Sequence, residues 1–453
     1  MKREHLIKPV LNRHYPVIQY GKGVYLYDEQ GKSYMDGSSG AVTASIGHGV
    51  QEIMDAMARQ AQKVSFVYRS QFTSEPAERL AEKLSSLTPG NDYWAFFVNS
   101  GSEATETAMK VAIQHWQEKG RPGKMKVLSR RMSYHGITMG ALSMSGHVLR
   151  RRRFSPLLAD LPVVAPPYCY RCPLHQTYPG CGLMCADDLE AAIQRIGAEH
   201  IAAFIAEPII GAAGGAVVPP EGYYRRIMEI CKHHEILFIA DEVMTGIART
   251  GAMFGIDHWG VEPDLMALGK GLSAGYTPIA ATLVKDHVME PILHGSNSIM
   301  SGHTYSANPQ SAAVSLAVLE YMEKHNLVEA AEMHGNDLLS RLKQIASRCA
   351  FVGDVRGKGL LLAMEFVSDR GSKLPFPPER GVTARIIEKA FQNGLLLYPA
   401  AGGVDGSGDA VIVAPPLVIT GEEIERLARL LEETLREVMC EEQASGTGGV
   451  PDQ

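Results

Sequence analysis

At 453 residues the chain is too long for one simple core and suits two lobes of unequal size. Hydrophobic residues make up 45% and charged residues 21%, the balance of an ordinary globular protein, and a net charge of -6 gives no reason to expect a polyanionic partner such as nucleic acid. No run approaches the roughly eighteen uninterrupted apolar residues a membrane helix requires. The polar start, with Lys2, Arg3 and Lys8, precedes no apolar signal core, and seven cysteines, an odd number, suit a reducing compartment. A cytoplasmic protein is expected.

In chain order, Val24 to Tyr27 and the turn Asp28-Glu29-Gln30-Gly31 signal a hairpin. Tyr93 to Val98 reads as a strand, and Ser102 to Lys119 as a helix with Ala104, Ala108, Val111 and Ala112 near one face. Strand-like runs recur at Met125 to Leu128, Ile201 to Ala206, Ile236 to Ala240 and Ile279 to Val284, with a helical stretch from Gly222 to His234. Strands alternating with helices predict an α/β fold with a mainly parallel sheet covered on both faces. Beyond about residue 315 the texture changes. A helical region from Gln310 to Arg348 leads to a strand at Leu360 to Phe366, and helices at Val382 to Asn393 and Gly421 to Met439 flank a strand at Ala410 to Val413. The expected organisation is an N-terminal segment over 1–65 that joins the smaller lobe, a large domain over 66–320, a smaller α+β domain over 321–440, and a disordered tail over 441–453.

Three segments carry chemistry. Asn99-Ser100-Gly101-Ser102-Glu103-Ala104 follows a strand and opens a helix, where backbone N–H groups and hydroxyls at the positive helix end suit a phosphate. A plain cap by Ser102, with Glu103 in the first turn, would look similar. Ile239-Ala240-Asp241-Glu242-Val243 ends an apolar strand in two carboxylates, and the carboxyl end of a buried parallel strand is where open α/β folds bind ligands. Such an aspartate can hold a proton on a pyridine nitrogen, or simply pair with a structural arginine. Ala267-Leu268-Gly269-Lys270-Gly271-Leu272 places a lysine in an apolar segment between glycines. Desolvation there lowers the amine pKa and favours a Schiff base, whereas a solvated loop lysine is the ordinary alternative.

Together with Tyr134-His135-Gly136, Glu207-Pro208, Arg249-Thr250-Gly251 and His303-Thr304-Tyr305, these segments resemble the class III aminotransferases, the ornithine and ω-amino-acid branch of fold-type-I pyridoxal-phosphate (PLP) enzymes. The resemblance spans about residues 25 to 420. It implies that Lys270 holds PLP as a Schiff base and then moves the proton, while Asp241 pairs with the ring nitrogen. It further implies that Val243 and Tyr134 cover the two ring faces, and that Ser100, Gly101 and Ser102 hold the phosphate. His135 would pack beside the ring, and Glu207 would sit behind it. Thr304 would reach the phosphate of a neighbouring subunit, implying a homodimer with shared sites, or two such dimers in a tetramer. An amine and a keto acid, such as pyruvate or 2-oxoglutarate, would be the substrates.

The chain departs from the family at two places. Ile412 stands where ornithine-type members carry an arginine for the substrate carboxylate, and Asp405-Gly406-Ser407-Gly408-Asp409 lacks the mobile arginine of many ω-amine transaminases. A carboxylate buried without a positive partner is costly, so either another group binds the keto acid or the pocket prefers substrates lacking a carboxylate there. An ω-amine or amine:pyruvate transaminase is expected, with Tyr15, Tyr20 and Tyr68 either lining the pocket or packing at an interface. Cys169, Cys172, Cys181 and Cys185 have plausible zinc spacing, although such thiols also occur as packing residues and the family needs no metal. The run Arg150 to Arg153 reads as a solvated or ion-paired surface. Rival readings are a racemase, aminomutase, decarboxylase or phospho-lyase of the same family, or a non-enzymatic zinc-holding module.

Overall fold

The computed structural model describes residues 5–401 and 403–446. Strand β1 (Ile18–Lys22), β2 (Tyr25–Asp28) and β3 (Ser33–Asp36) form an antiparallel meander, so the expected hairpin is present. Next come β4 (Tyr93–Val98), β5 (Lys126–Arg130), β6 (Val163–Val164) and β7 (Ile201–Ala206). They are followed by β8 (Leu237–Asp241), β9 (Leu265–Leu268) and β10 (Ala280–Lys285). The C-terminal part holds β11 (Val352–Lys358), β12 (Leu361–Phe366), β13 (Leu395–Leu396), β14 (Tyr398–Ala401) and β15 (Asp409–Val413).

A seven-stranded sheet, ordered β4-β10-β9-β8-β7-β5-β6, dominates the molecule. Only β10 runs against its neighbours, so the sheet is mainly parallel, as the strand and helix alternation predicts. Every residue of β7, β8 and β9 is buried, the pattern of strands covered on both faces. The helix Gly101–Glu118 packs on this sheet through Ala104, Ala108, Val111 and Ala112, whose small side chains allow close approach. A second sheet, β11-β12-β15-β14, is wholly antiparallel. In the third, β3 pairs in parallel with β13 through Met35 and Leu395, tying the N-terminal meander to the C-terminal part of the chain.

The helical region expected from Gln310 to Arg348 is two helices, Pro309–Lys324 and Leu327–Arg348. Asn326 separates them with φ of 49°, a left-handed conformation that asparagine tolerates and that stops the first helix. The last helix, Gly421–Gly446, continues past Met439 and through the first six residues of the tail expected over 441–453, and 447–453 lie outside the described residues. Among the described residues no helix is long and apolar enough to cross a membrane.

Candidate active site

The carboxyl ends of β8 and β9 and the start of the Gly101–Glu118 helix meet at one cavity of about 160 Å³. Gly101, Ser102, Tyr134, His135, Glu207, Asp241, Val243 and Lys270 all line it, although they lie up to 169 residues apart in the chain (from Gly101 to Lys270). Three further lining residues, Gly136, Ala212 and Met244, carry no polar side chain that a sequence argument could single out.

Asp241 is the last residue of β8 and is buried. One carboxyl oxygen lies 2.7 Å from His135 Nδ1, and the other accepts a hydrogen bond from the Val243 N–H at 3.1 Å. His135 is thus more than a packing residue: its ring fixes the aspartate, and its own N–H donates to Ser145 Oγ at 2.8 Å. The neighbouring Glu242 faces the other way, as alternation along a strand end requires. It accepts from Thr245 Oγ1, Gly255 N and Ile256 N, and burial pushes its carboxyl up to about 7. Glu242 is therefore held by structure, and Asp241 is the one that faces the cavity.

At the helix start the cap is Ser100, whose hydroxyl accepts from Glu103 N at 3.3 Å, so the alternative of a cap by Ser102 does not form. Ser100 is exposed and does not line the cavity. The Gly101 and Ser102 N–H groups precede the helical hydrogen-bond ladder and remain for a ligand. Ser102 Oγ accepts from Ile137 N at 3.0 Å, which orients the hydroxyl at the cavity wall. Gly101 is required here: a Cβ would stand 2.7 Å from Val243 Cγ1. Gly269 would meet the same methyl at 3.3 Å, so both glycines make room for Val243. An anion-binding helix start, a valine wall and a buried carboxylate together fit a flat, phosphorylated pyridine.

Lys270 follows β9 with φ of 41°, a left-handed conformation seldom adopted by a residue with a side chain and typical of functional sites. Its side chain is half-buried and lines the cavity. Burial holds its pKa below the ordinary lysine value, outweighing the attraction of Asp241 and Glu207, while Arg150 pushes in the same direction as burial. A neutral amine is the nucleophilic form. Glu207 accepts from Tyr134 N at 3.0 Å and Gly211 N at 2.9 Å, and burial raises its pKa, so it shapes the cavity wall without an arginine partner.

The mouth is built differently. Arg150 lies with its guanidinium carbon 4.5 Å from the centre of the Tyr134 ring and donates to the Tyr134 hydroxyl at 3.3 Å. Within the run read as a solvated or ion-paired surface, Arg152 and Arg153 are exposed, whereas Arg151 donates to the carbonyls of Leu142, Ser143 and Ser145. Arg150, half-buried against a cavity-lining ring, departs from that reading. Ile412 is fully buried in an apolar cluster with Ala212 and Met244, which back the cavity. Val404 packs into the cluster that includes Tyr134, and a Cβ on Gly406 would touch Val148, so the arginine-free segment lies over the helix that bears Arg150.

Several expected residues lie away from this cavity in the chain. Thr304 is exposed, Tyr20 stacks on Tyr27 with centroids 4.6 Å apart, Tyr15 accepts from Val10 N, and Tyr68 is exposed. The four cysteines line a small separate cavity of about 20 Å³, and among the described residues no three His, Cys, Asp or Glu side chains are arranged to hold a metal ion. Burial pushes the Cys185 thiol up to about 12 and raises Cys169, which argues against a reactive thiolate there.

Comparison with known proteins gives consistent results. The family described as aminotransferase class-III matches residues 9–435. An uncharacterized aminotransferase of Bacillus subtilis (strain 168), YodT, is 53% identical over 435 residues, 96% of this chain and 98% of the relative. A putrescine–pyruvate aminotransferase of Pseudomonas aeruginosa is 34% identical, covering 92% of this chain and 90% of its own. Among solved structures, a thermostable (S)-enantioselective omega-transaminase from Thermomicrobium roseum superposes with a TM-score of 0.90 at 36% identity, covering 96% of each chain. An amine transaminase from an uncultivated Pseudomonas species, solved with PLP bound, gives 0.91 at 35% identity over 96% of this chain and 99% of the other.

Proposed function

The chain belongs to the class III aminotransferases and is a PLP-dependent enzyme of fold type I, and from that premise we propose that Lys270 and Asp241 carry the reaction in the cavity described above. The substrates are an amine and a keto acid. The observation that carries the assignment is the convergence of a desolvated lysine, a strand-end aspartate and an uncapped pair of N–H groups around a single cavity.

Bound PLP supplies a ring that accepts the electron pair left when a C–H bond beside nitrogen breaks. The chain does the rest. Lys270, whose pKa burial holds below the ordinary lysine value, would hold the cofactor through its amine and would move the proton of the C–H bond that breaks. Asp241, oriented by His135, would keep a proton on the ring nitrogen. Gly101 and Ser102 would hold the phosphate through backbone N–H groups at the positive end of the Gly101–Glu118 helix. Val243 and Tyr134, which both line the cavity, would cover the two faces of the ring.

The active unit in this reading is a homodimer in the cytoplasm. Thr304, exposed beside the exposed Tyr305 and Met300, would complete the phosphate site of a second copy. Phe66, Tyr68 and Phe72 add exposed apolar area of the kind a subunit interface covers. The test is the visible spectrum of the purified protein with PLP, followed through additions of an amine and then a keto acid. The long-wavelength band should be discharged by the amine and restored by the keto acid, and Lys270→Ala should lose turnover by at least about 10³-fold. A band that no amine discharges would favour the racemase and lyase chemistries instead.

A further inference from the structure

A cavity that exchanges amines for carbonyls must also recognise the rest of each substrate, and its charge balance shows where an anionic group is welcome. Four arginines near the site are already committed. Arg130 donates to the Glu207 carbonyl and to Tyr224, and Arg249 donates to the carbonyls of Leu360 and Pro415. Arg171 and Arg356 converge on Glu365, which is fully buried, at 2.8 and 2.7 Å. Each therefore has its acceptor within the protein.

Arg150 does not. Among the described residues no carboxylate stands within ion-pair distance of it, and its one hydrogen bond is to the neutral hydroxyl of Tyr134. It is half-buried on a ring that lines the cavity, and its charge reaches Lys270. His147, which meets Tyr134 edge-on with centroids 6.1 Å apart, adds no competing charge, since burial and then Arg150 push it down to about 4. A guanidinium that is partly desolvated and unpaired is costly unless something occupies it.

We propose that Arg150 is the substrate-anion anchor of this site, so that the enzyme takes amino donors bearing a carboxylate remote from the reacting amine, the ω-amino acids. The inference rests on the transaminase reading and narrows its substrate class. The planar fork of arginine matches a carboxylate through two parallel hydrogen bonds, and one unpaired positive charge matches one negative charge. The Tyr134 ring beneath and the hydroxyl beside it hold the guanidinium in place, so little side-chain freedom is lost when the anion binds. Placing the charge on the helix segment Val148–Arg151 also accounts for an Ile412 locked in the apolar cluster behind the cavity and for a 405–409 segment that holds no cation.

The test uses the PLP-loaded protein and two readouts. In calorimetry, butanoate should bind the wild type at least about tenfold more tightly than butanamide, a preference that Arg150→Leu abolishes and Arg150→Lys keeps in part. In turnover, the ratio of kcat/KM for 4-aminobutanoate over that for butan-1-amine should fall by about tenfold to a hundredfold in Arg150→Leu. Melting temperature and cofactor absorbance of the variants confirm that they are folded and loaded. The proposal is overturned if wild type binds the two probes alike, or if Arg150→Leu keeps the preference. A loss of kcat/KM shared equally by both donors also overturns it, because Arg150 would then serve only to hold Tyr134. Should butanoate binding depend on Arg150 while no amine discharges the cofactor band, the anchor stands and the transaminase reading fails.

Discussion

The floor of the cavity and its mouth are assembled in opposite ways. The floor is made of residues that end strands or begin a helix: Asp241 closes β8, Lys270 follows β9, and Gly101 opens the long helix. Each is placed by the regular element it ends, follows or begins, and Asp241 is further fixed by His135 at 2.7 Å. The mouth is made of side chains from irregular segments, with Tyr134 after β5, Arg150 on one turn of helix, and the loop at 403–408 lying over them. Rigid elements suit a cofactor whose geometry never changes, whereas loops set which substrate enters, and can differ between relatives without disturbing the chemistry.

The largest effect that would break this separation is at the floor. Asp241→Asn should lower the rate of the amine half-reaction by about 10²- to 10³-fold, measured in a single turnover of loaded enzyme. The ratio between carboxylate-bearing and neutral donors should stay as in wild type, the reverse of the outcome for Arg150. If that ratio collapses as well, the floor and the mouth are not independent.

A smaller effect sharpens the contrast between the adjacent carboxylates. Glu242 ionises near 4.5 in the unfolded chain but is pushed up to about 7 by burial in the native state. Between these values the folded protein holds a proton that the unfolded chain has lost, so its contribution to stability declines as pH rises through that window. Over pH 4.5 to 7.5 the wild type should lose on the order of 3 kcal/mol more stability than Glu242→Gln, measured by urea unfolding at each pH. Parallel pH profiles for the two proteins would show that Glu242 does not titrate in this way.

The smallest effect concerns the helix start. Ser100→Ala removes an exposed cap and should cost about 1 kcal/mol in denaturant unfolding of the cofactor-free protein. A drop in PLP affinity with no change in stability would instead return the Ser100 hydroxyl to the phosphate cradle.

Much of the floor could be read without coordinates because its signals are local. A glycine-flanked lysine after an apolar strand, an aspartate at a strand end and a Ser-Gly-Ser before a helix each announce their place within a few residues. The central strands were legible for the same reason, since fully buried parallel strands are nearly continuous apolar runs. Less was visible where the signal is weak or shared. The two-residue β6 is too short to show a period, and β11, with glycines at 353 and 357, lacks an apolar alternation. The helix break at Asn326 depends on a left-handed turn that Asn336, inside the helix that follows, does not make. Arg150 looked like its three basic neighbours, because nothing in a run of arginines tells which one faces inward.

The sequence by itself determined the family, the cofactor and the elements that would carry them, since those depend on residue types at short spacings. Tertiary structure decided how Asp241 is held by His135 while Glu242 is turned to Thr245, Gly255 and Ile256, and which serine caps the helix. It also decided which arginine remains unpaired at the mouth. These outcomes depend on how segments a hundred or more residues apart dock on one another, and that docking is set by packing over the whole core, not by any local pattern.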